Sequence, residues 1–241
     1  MPRPRRPLIV GLTGGIACGK STVTRHIRAG SAGTVIDLDE LARRVVEPGR
    51  TAYNKIVRHF GAEILLPDGS LDRDALGKRV FADRASRKAI NSATHWPILV
   101  DMFLDMLAAT RDESVEFIFI DAPLLFEVKL HLLCDAVLVV HVTPDSMVSR
   151  LKARDGHSQE EAERRIAAQM PVPAKMARAD YLIDNNGAQE STRQRVDACL
   201  ELLRARAAER SLARTLRHAV LWLVLSIMQL FYSDAAGRSR L

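Results

Sequence analysis

The fold of this chain is decided by the stretch LIVGLTGGIACGKS at positions 8–21. Its first part, Leu8 to Leu12, is a short apolar run followed by glycines, which is typical of a buried β-strand. Its second part, Gly14 to Ser21, matches the pattern G-x-x-x-x-G-K-[ST], and a helical pattern follows. A strand, a glycine-rich loop and a helix in this order predict a loop that binds the phosphates of a nucleotide.

Each part of this loop has a chemical task. Glycines adopt backbone angles closed to other residues, so the loop can turn its N–H groups inward around phosphate oxygens. We expect Lys20 to bridge the β- and γ-phosphates and the Ser21 hydroxyl to ligate Mg²⁺. Cys18 occupies a free position of the motif, and we interpret it as a tolerated small residue rather than a redox switch. The predicted nucleotide-binding residues are Gly14, Gly15, Ile16, Ala17, Cys18, Gly19, Lys20, Ser21 and Thr22.

The composition is that of an ordinary globular protein. The 241 residues include 47% hydrophobic and 27% charged residues, which provides a buried core and excludes wholesale disorder. The three cysteines are few and widely spaced, which excludes a disulfide scaffold and predicts a reduced, intracellular compartment, and they form no C-x-x-C pair that would suggest a zinc or redox site. The net charge of +6 is concentrated in the leader, residues 1–7, and near the C-terminus, so no nucleic-acid partner is predicted.

Short apolar runs alternate with longer helical patterns after Pro7. This alternation predicts an α/β fold, a parallel P-loop-type sheet flanked by helices, extending over residues 8–210. Segment 51–110 shows helical periodicity broken by glycine and proline, so we expect a helical insertion there. A Thr-Pro-Asp start and a capping box predict helices at 145–154 and 158–169. The predicted strands are 8–12, 34–37, 116–120, 136–141 and 181–184.

Two aspartates, Asp37 and Asp39, follow the second predicted strand. Residues just past the carboxyl ends of parallel strands face the ligand crevice of an open sheet. A carboxylate there can accept a hydrogen bond from an acceptor hydroxyl and orient it towards the γ-phosphorus. One aspartate can cap the following helix while the other faces the substrate, and we predict that Asp39 is the catalytic one.

Five further motifs follow the phosphate loop in a fixed order: DLDELAR at 37–43, EPG at 47–49, DGSLDR at 68–73, DAPLLFE at 121–127 and ADYLIDN at 179–185. Together with the loop they resemble the dephospho-CoA kinase family over almost all of residues 8–200. The resemblance implies transfer of the γ-phosphate of ATP, with Mg²⁺, to the ribose 3′-hydroxyl of dephospho-CoA, which gives coenzyme A and ADP.

The resemblance also assigns roles to individual side chains. Asp39 matches the family's proposed catalytic base, segment 51–110 its CoA-binding helical domain, and segment 145–170 its lid over the ATP phosphates. Substrate contacts are implied for Thr13, Asp39, Arg43, Arg73, His95, Leu124 and Phe126. Contacts on the ATP side are implied for Arg150, Arg154 and Asn185, with Arg165 and Gln169 beyond them. Each of these arginines has the alternative of a solvated helix face.

Two positions keep more than one interpretation. Asp121 ends an apolar strand as a Walker-B-like carboxylate would, so it can hold Mg²⁺ through water, face the substrate or serve the structure. His95 departs from the family pattern, which usually has His-Pro where this chain has His95-Trp96-Pro97. For His95, both a substrate contact and a buried, hydrogen-bonded state remain open.

Residues 211–241 form a basic and apolar tail beyond the family's usual end. The apolar run Ala219 to Tyr232 would span about 21 Å as a helix, short of a bilayer core of about 30 Å. A spanning helix is therefore disfavoured, and contact with a membrane surface or with a partner helix remains open. The last residues, Ser239-Arg240-Leu241, are a variant of a peroxisomal signal, so the predicted location is the cytoplasm or a peroxisome-type organelle.

Two other classes of function compete with this interpretation. The chain can be another P-loop nucleoside or nucleotide kinase, or a nucleotide-binding scaffold without turnover. The helical insertion and the Pro-Leu-Leu-Phe-Glu motif favour a CoA precursor as the acceptor. Intact Lys20, Ser21 and Asp39 argue against a scaffold.

Overall fold

Strands and helices alternate along the chain, as the periodicity predicts. The computed structural model describes residues 7–30 and 33–208. The elements are β1 Leu8–Gly14, α1 Lys20–Ala29, β2 Gly33–Asp37, α2 Leu38–Arg44, α3 Thr51–Phe60, α4 Arg73–Ala82, α5 Arg84–Ala109, β3 Phe117–Asp121, β4 Ala136–His141, α6 Pro144–Asp155, α7 Gln159–Ala167, α8 Val172–Met176, β5 Tyr181–Asp184 and α9 Gln189–Ala208. All five predicted strands are confirmed, with small differences at their ends.

The five strands form one sheet in the order β2-β3-β1-β4-β5. Strand β1 is central, and it runs parallel to β3, with Leu8 opposite Phe117, and to β4, with Thr13 opposite Val139. Strand β5 is parallel to β4. The chain builds one side of the sheet before it moves to the other, so the carboxyl end of β1 lies at a topological switch point. Open α/β sheets bind their ligands at such points.

Strands β1 and β3 are buried along their whole length. Every residue of β1 and of β3 is buried, because helices cover both faces of a parallel sheet of this kind. The rings of Phe117 and Phe119 lie with their centroids 5.9 Å apart. They belong to the same apolar cluster as Val23 of α1 and Val196 of α9. This packing fixes the strand from which the phosphate loop emerges.

Residues 36–108 form a second compact unit, which is helical after β2. The helices predicted for 51–110 are present, with a single bridge between Leu65 and Leu71 outside the named strands. The unit begins earlier than residue 51, because Val45 and Val46 after α2 belong to the same apolar cluster as Ile56 of α3. The Arg44 guanidinium also bonds Asp101 at 3.0 Å and Asp105 at 2.8 Å, both on α5.

The predicted helix starts at the lid segment are confirmed. The Thr143 hydroxyl accepts from the Ser146 N–H at 3.3 Å at the start of α6. The Ser158 hydroxyl accepts from the Glu161 N–H at 3.2 Å at the start of α7. These side chains satisfy N–H groups that a helix leaves free at its first turn.

The predictions for the leader and for the tail, residues 211–241, lie outside the described residues. Within residues 7–30 and 33–208, no helix combines the length and apolarity needed to cross a membrane.

Candidate active site

The loop between β1 and α1 forms a cradle of backbone N–H groups. The Cys18 N–H donates to the Gly15 carbonyl at 3.2 Å, which closes a turn, and Ala17 and Gly19 have φ angles of 59° and 82°. Gly19 has no side chain with which to cap α1, and the first turn of α1 carries no acidic residue. The first N–H groups of α1 and the positive end of its dipole are therefore available to an anion.

Two glycines of the loop are required by close approach. A Cβ atom at Gly14 would lie 2.4 Å from the Val140 carbonyl oxygen, and one at Gly19 would lie 2.1 Å from Asn185 Nδ2. Backbone of β4 and the turn after β5 thus lie directly against the loop. Any side chain at Gly14 or Gly19 would collide with these neighbours and displace the phosphate loop.

We expect Gly19→Ala to abolish nucleotide binding, whereas Gly49→Ala should leave it intact. Both glycines have a positive φ, 82° and 86°, so alanine is strained by about 1–2 kcal/mol at either position. Only at Gly19 does the new methyl group also meet another residue, because nothing lies within 4 Å of a Cβ at Gly49. Calorimetric titration with ATP, with urea unfolding of both variants, measures the difference. Equal ATP affinities in the two variants would contradict the close-approach argument.

Asn185, which was predicted to lie on the ATP side, supports the loop from behind. Its side-chain Nδ2 donates to the Cys18 carbonyl at 2.8 Å, and its Oδ1 accepts from the Thr192 hydroxyl at 2.7 Å. Its backbone carbonyl accepts from Arg150 Nη2 at 2.8 Å. Both Asn185 and Thr192 are buried. The structure thus brings Asn185 and Arg150 together at the phosphate loop.

Lys20 forms an ion pair with Asp121, the last residue of β3. Its Nζ donates to one carboxylate oxygen of Asp121, and the Thr24 hydroxyl donates to the other at 2.8 Å. Asp121 is 1% exposed. The pair forms because β3 is next to β1 in the sheet, which places the end of β3 beside the start of α1. The structure thus places Asp121 against the lysine of the loop, and the roles left open for it stay predictions.

Cys18 lies inside the loop with its thiol buried. Burial raises the pKa of this thiol, and the hydrogen bond to the backbone of Lys20 and the charge of Lys20 oppose that rise without cancelling it. A raised pKa leaves less of the reactive thiolate at neutral pH. This agrees with the interpretation of Cys18 as a packing residue.

The arginines of the predicted lid occupy different environments. Arg150 is half-buried against Asn185, whereas Arg154 forms a bidentate pair with its neighbour Asp155, at 2.8 and 3.0 Å, with most of its side chain exposed. Arg165 pairs with Glu161 at 3.1 Å on the surface of α7. Gln169 has a buried amide oxygen without a hydrogen-bond partner among the described residues. The structure therefore brings Arg150 to the loop and does not do so for Arg154.

Three predicted substrate contacts belong to the unit that holds the phosphate loop. Thr13 is fully buried, and its hydroxyl donates to the Pro123 carbonyl at 3.1 Å. Phe126 is 3% exposed and lies under the Arg178 guanidinium, 5.9 Å from its ring centroid. Leu124 is 43% exposed. Within segment 123–127, hereafter the β3 loop, Leu124 is thus the apolar side chain that faces outward.

The other predicted residues belong to the helical unit. The Asp37 carboxylate caps α2, because it accepts from the N–H groups of Asp39 at 2.8 Å and Glu40 at 3.3 Å. Asp39 is left exposed on the first turn, and Arg43 is exposed one turn later on the same face. Arg73 is the first residue of α4 and is exposed as well. The expectation that one of the two aspartates caps α2 is confirmed for Asp37, and the catalytic role of Asp39 stays a prediction.

His95 lies on α5 and is exposed, so the alternative of a buried histidine is wrong. The helix continues through Trp96, which is 55% exposed, and through Pro97. A proline displaced by one residue is rotated by about 100° around the helix relative to the histidine. The departure from the family pattern does not interrupt α5.

One residue at the loop was missed by the sequence reasoning. Lys175 of α8 is fully buried, and its Nζ donates to the Pro123 carbonyl at 2.6 Å and lies 3.5 Å from the Gly14 carbonyl oxygen. Helix α8 has five residues, too few for apolar periodicity to show which side is buried.

The comparisons with known proteins agree on one family. The family model described as CoaE, dephospho-CoA kinase, matches residues 8–191. A dephospho-CoA kinase from Anaeromyxobacter dehalogenans is 47% identical over 196 residues, which cover 81% of this chain and 92% of the relative. One from Geobacter sulfurreducens is 47% identical over 189 residues, covering 78% and 95%.

Solved structures agree with the fold. The crystal structure of TT1252 from Thermus thermophilus is 34% identical, with a TM-score of 0.69 over 82% of this chain and 98% of that one. The dephospho-CoA kinase from Campylobacter jejuni is 24% identical, with a TM-score of 0.58 over 81% and 97% of the two chains. At that identity the second comparison supports the fold alone.

Proposed function

The chain belongs to the dephospho-CoA kinase family, and we propose that it carries out this family's reaction through the phosphate loop and the side chains described above. The reaction transfers the γ-phosphate of ATP to the ribose 3′-hydroxyl of dephospho-CoA and gives coenzyme A and ADP, the last step of coenzyme A synthesis. The observation that carries the proposed site is the uncapped start of α1 behind the glycine loop, with the Lys20 cation held beside it by Asp121.

On the donor side, the N–H groups of residues 14–22 surround the phosphates of ATP. The Lys20 ammonium stabilises the charge that develops on the transferring phosphoryl group. Arg150, which donates to the Asn185 carbonyl, adds a second cation at the edge of the loop. Arg154 can contact the phosphates only after its ion pair with Asp155 breaks, because both of its hydrogen bonds to Asp155 use the guanidinium group.

The Ser21 hydroxyl and the Asp121 carboxylate are oxygen donors of the kind that Mg²⁺ prefers. Ser21 is exposed on the first turn of α1, and Asp121 ends the neighbouring strand. These two residues fit a magnesium ion that arrives with ATP, and such an ion neutralises phosphate charge when bound. Lys20 and Thr24 hold the Asp121 carboxylate in its present orientation.

On the acceptor side, Asp39 accepts the hydrogen bond of the ribose 3′-hydroxyl and orients its oxygen for attack on the γ-phosphorus. The free carboxylate of Asp39 suits this task, because Asp37 alone caps α2. Arg43, Arg73 and His95 are exposed cationic or polar groups that suit the phosphates of dephospho-CoA. Leu124 offers an apolar contact to the acceptor. Thr13, through its hydrogen bond to the Pro123 carbonyl, and the buried Phe126 hold the β3 loop in place.

An assay of ADP release tests this proposal. The enzyme is supplied with ATP and Mg²⁺ and with dephospho-CoA, nucleosides or nucleoside monophosphates in separate reactions. We expect ADP release with dephospho-CoA to exceed that with every other acceptor by at least about 10²-fold, and mass spectrometry to detect coenzyme A in equal amount. A preference for a nucleoside or its monophosphate would make the chain another P-loop kinase. Binding of ATP without ADP release on any acceptor would make it a scaffold.

None of the residues assigned to the proposed reaction belongs to the tail, residues 211–241. Contact of residues 219–232 with a membrane or a partner helix stays a prediction, as does the choice between the cytoplasm and a peroxisome-type organelle through Ser239-Arg240-Leu241. A reporter protein fused to residues 210–241, with and without the last three residues, separates these locations.

A further inference from the structure

A buried cation lies directly behind the phosphate loop. Lys175 of α8 has none of its surface exposed. Burying an ammonium group costs several kcal/mol unless partners compensate its charge and fill its three N–H donors. The partners of Lys175 therefore show which segments of the chain it connects.

The three acceptors of Lys175 come from two segments that are far apart in the chain. Its Nζ donates to the Pro123 carbonyl at 2.6 Å, lies 3.5 Å from the Gly14 carbonyl oxygen, and pairs with Glu127 Oε1 at 3.2 Å. The Pro123 carbonyl also accepts from the Thr13 hydroxyl at 3.1 Å. The ammonium thus joins the end of β1, where the phosphate loop begins, to both ends of the β3 loop.

Glu127 extends the connection to the lid segment. Its Oε1 also accepts from the Met170 N–H at 3.0 Å. Burial would raise the pKa of Glu127, but the Met170 N–H and the Lys175 ammonium outweigh it, and the pKa is lowered. A lowered pKa keeps the carboxylate charged at neutral pH, so the ion pair is broken only in acid.

Helix α8 also packs against the loop through a second residue. A Cβ atom at Gly15 would lie 2.7 Å from Val172 Cγ2. The first turn of α8 therefore touches Gly15, and its last turn reaches Gly14 through Lys175. A buried ion pair as a whole can often be replaced by well-packed apolar residues without loss of stability, so packing alone does not require a lysine at this position. The ammonium charge of Lys175, which contacts both the phosphate loop and the β3 loop, therefore needs an explanation other than packing.

We propose that Lys175 is a positioning residue that fixes the separation between the phosphate loop and the β3 loop, with Glu127 holding its charge in place. The inference rests on the proposed function, in which the first loop binds ATP and the second contacts the acceptor. Its ammonium sets the distance between the two bound substrates without touching either of them. A displacement of about 1 Å between reacting groups lowers a rate by about 100-fold.

Kinetics of Lys175→Met and Glu127→Gln test the inference, with Lys129→Met as the matched control. Lys129 is an exposed lysine that follows the same loop, so its substitution removes the same charge without touching the buried contacts. We expect Lys175→Met to lower kcat by about 100-fold. Glu127→Gln should give a smaller loss, because glutamine still accepts from the Met170 N–H. The control should keep its kcat and both KM values within twofold of the unmodified protein.

A second measurement separates positioning from stability. The ratio of ADP to coenzyme A formed is measured at a temperature at which urea unfolding shows each variant to be folded. A misaligned acceptor lets water take the phosphoryl group, so we expect this ratio to rise above one in Lys175→Met and to stay at one in the control. A ratio of one, with a kcat loss no larger than the unfolded fraction, would overturn the inference and make Lys175 structural only.

Two further outcomes are decisive. If Lys175→Met does not fold, Glu127→Gln carries the test, and an unchanged kcat and ratio in that variant overturn the inference. If the unmodified protein forms no coenzyme A from dephospho-CoA, the proposed function fails. The ATP affinities of the variants, measured without an acceptor, then still decide whether Lys175 holds the phosphate loop, because an unchanged affinity would contradict that contact.

Discussion

Replacement of Lys20 by methionine is expected to lower kcat by at least about 10³-fold. Methionine retains much of the apolar stem but removes the cation that would face the transferring phosphoryl group, and single contacts of this kind are worth about 10²–10⁵-fold in other enzymes. Initial rates of coenzyme A formation at saturating ATP and dephospho-CoA measure the effect. The matched control is Arg25→Met, which removes an exposed cation one turn further along α1 and should leave kcat unchanged.

The same substitution also removes the partner of a buried acid. Asp121 is 1% exposed, and breaking a buried ion pair costs about 3–5 kcal/mol of unfolding free energy. The double variant Lys20→Met/Asp121→Asn removes the orphaned charge, so its stability should recover while its activity does not. If activity returned together with stability, Lys20 would serve the fold and not the transfer.

Asp39→Asn is expected to lower kcat by about 10²–10⁴-fold and to change the KM for ATP by less than about twofold. The amide keeps the size of the side chain but loses the charge that would accept the proton of the ribose hydroxyl. Asp39 is exposed, so the substitution should leave the free energy of unfolding unchanged. Steady-state kinetics with ATP as the varied substrate, at saturating dephospho-CoA, give kcat and the KM for ATP, and urea unfolding gives the free energy of unfolding.

Asp37→Asn is the control for this prediction, because it changes the same chemical group two residues away. The Asp37 carboxylate accepts from the N–H groups of Asp39 and Glu40, and asparagine caps helices about as well as aspartate. We therefore expect stability and kcat close to those of the unmodified protein. If Asp39→Asn kept full kcat while Lys20→Met lost it, the base would be assigned wrongly, and positioning of the phosphates alone would drive the transfer.

The central strands and the phosphate loop were predictable because local sequence determines them. Strand β1 is apolar along its length since both of its faces are covered, and the Gly-Lys-Ser ending of the loop has one common structural context. The Thr143 and Ser158 caps were equally visible, because a cap depends on residues within one helical turn. The sequence also predicted that either Asp37 or Asp39 caps α2, and the structure identifies Asp37 as the cap.

Contacts between distant segments were not predictable. Lys175 lies far from Gly14 and Pro123 along the chain. A lysine is almost never fully buried unless it has a partner, and the sequence does not show which residues those partners are. The β3 loop has no regular repeat, so nothing in its letters shows that Phe126 turns inward while Leu124 turns outward. The exposure of His95 depends on which face of α5 is covered by other segments, and that is not visible in the local sequence.

The ion pair between Lys20 and Asp121 has a consequence for how tightly ATP can be held. A free lysine side chain has about 2 kcal/mol of rotamer entropy, which is lost when it is fixed on a ligand. Here Asp121 restricts the Lys20 side chain before any nucleotide is present, so that entropy is lost when the chain folds. The cost of restricting Lys20 therefore does not fall on the binding step, and this favours affinity for a triphosphate.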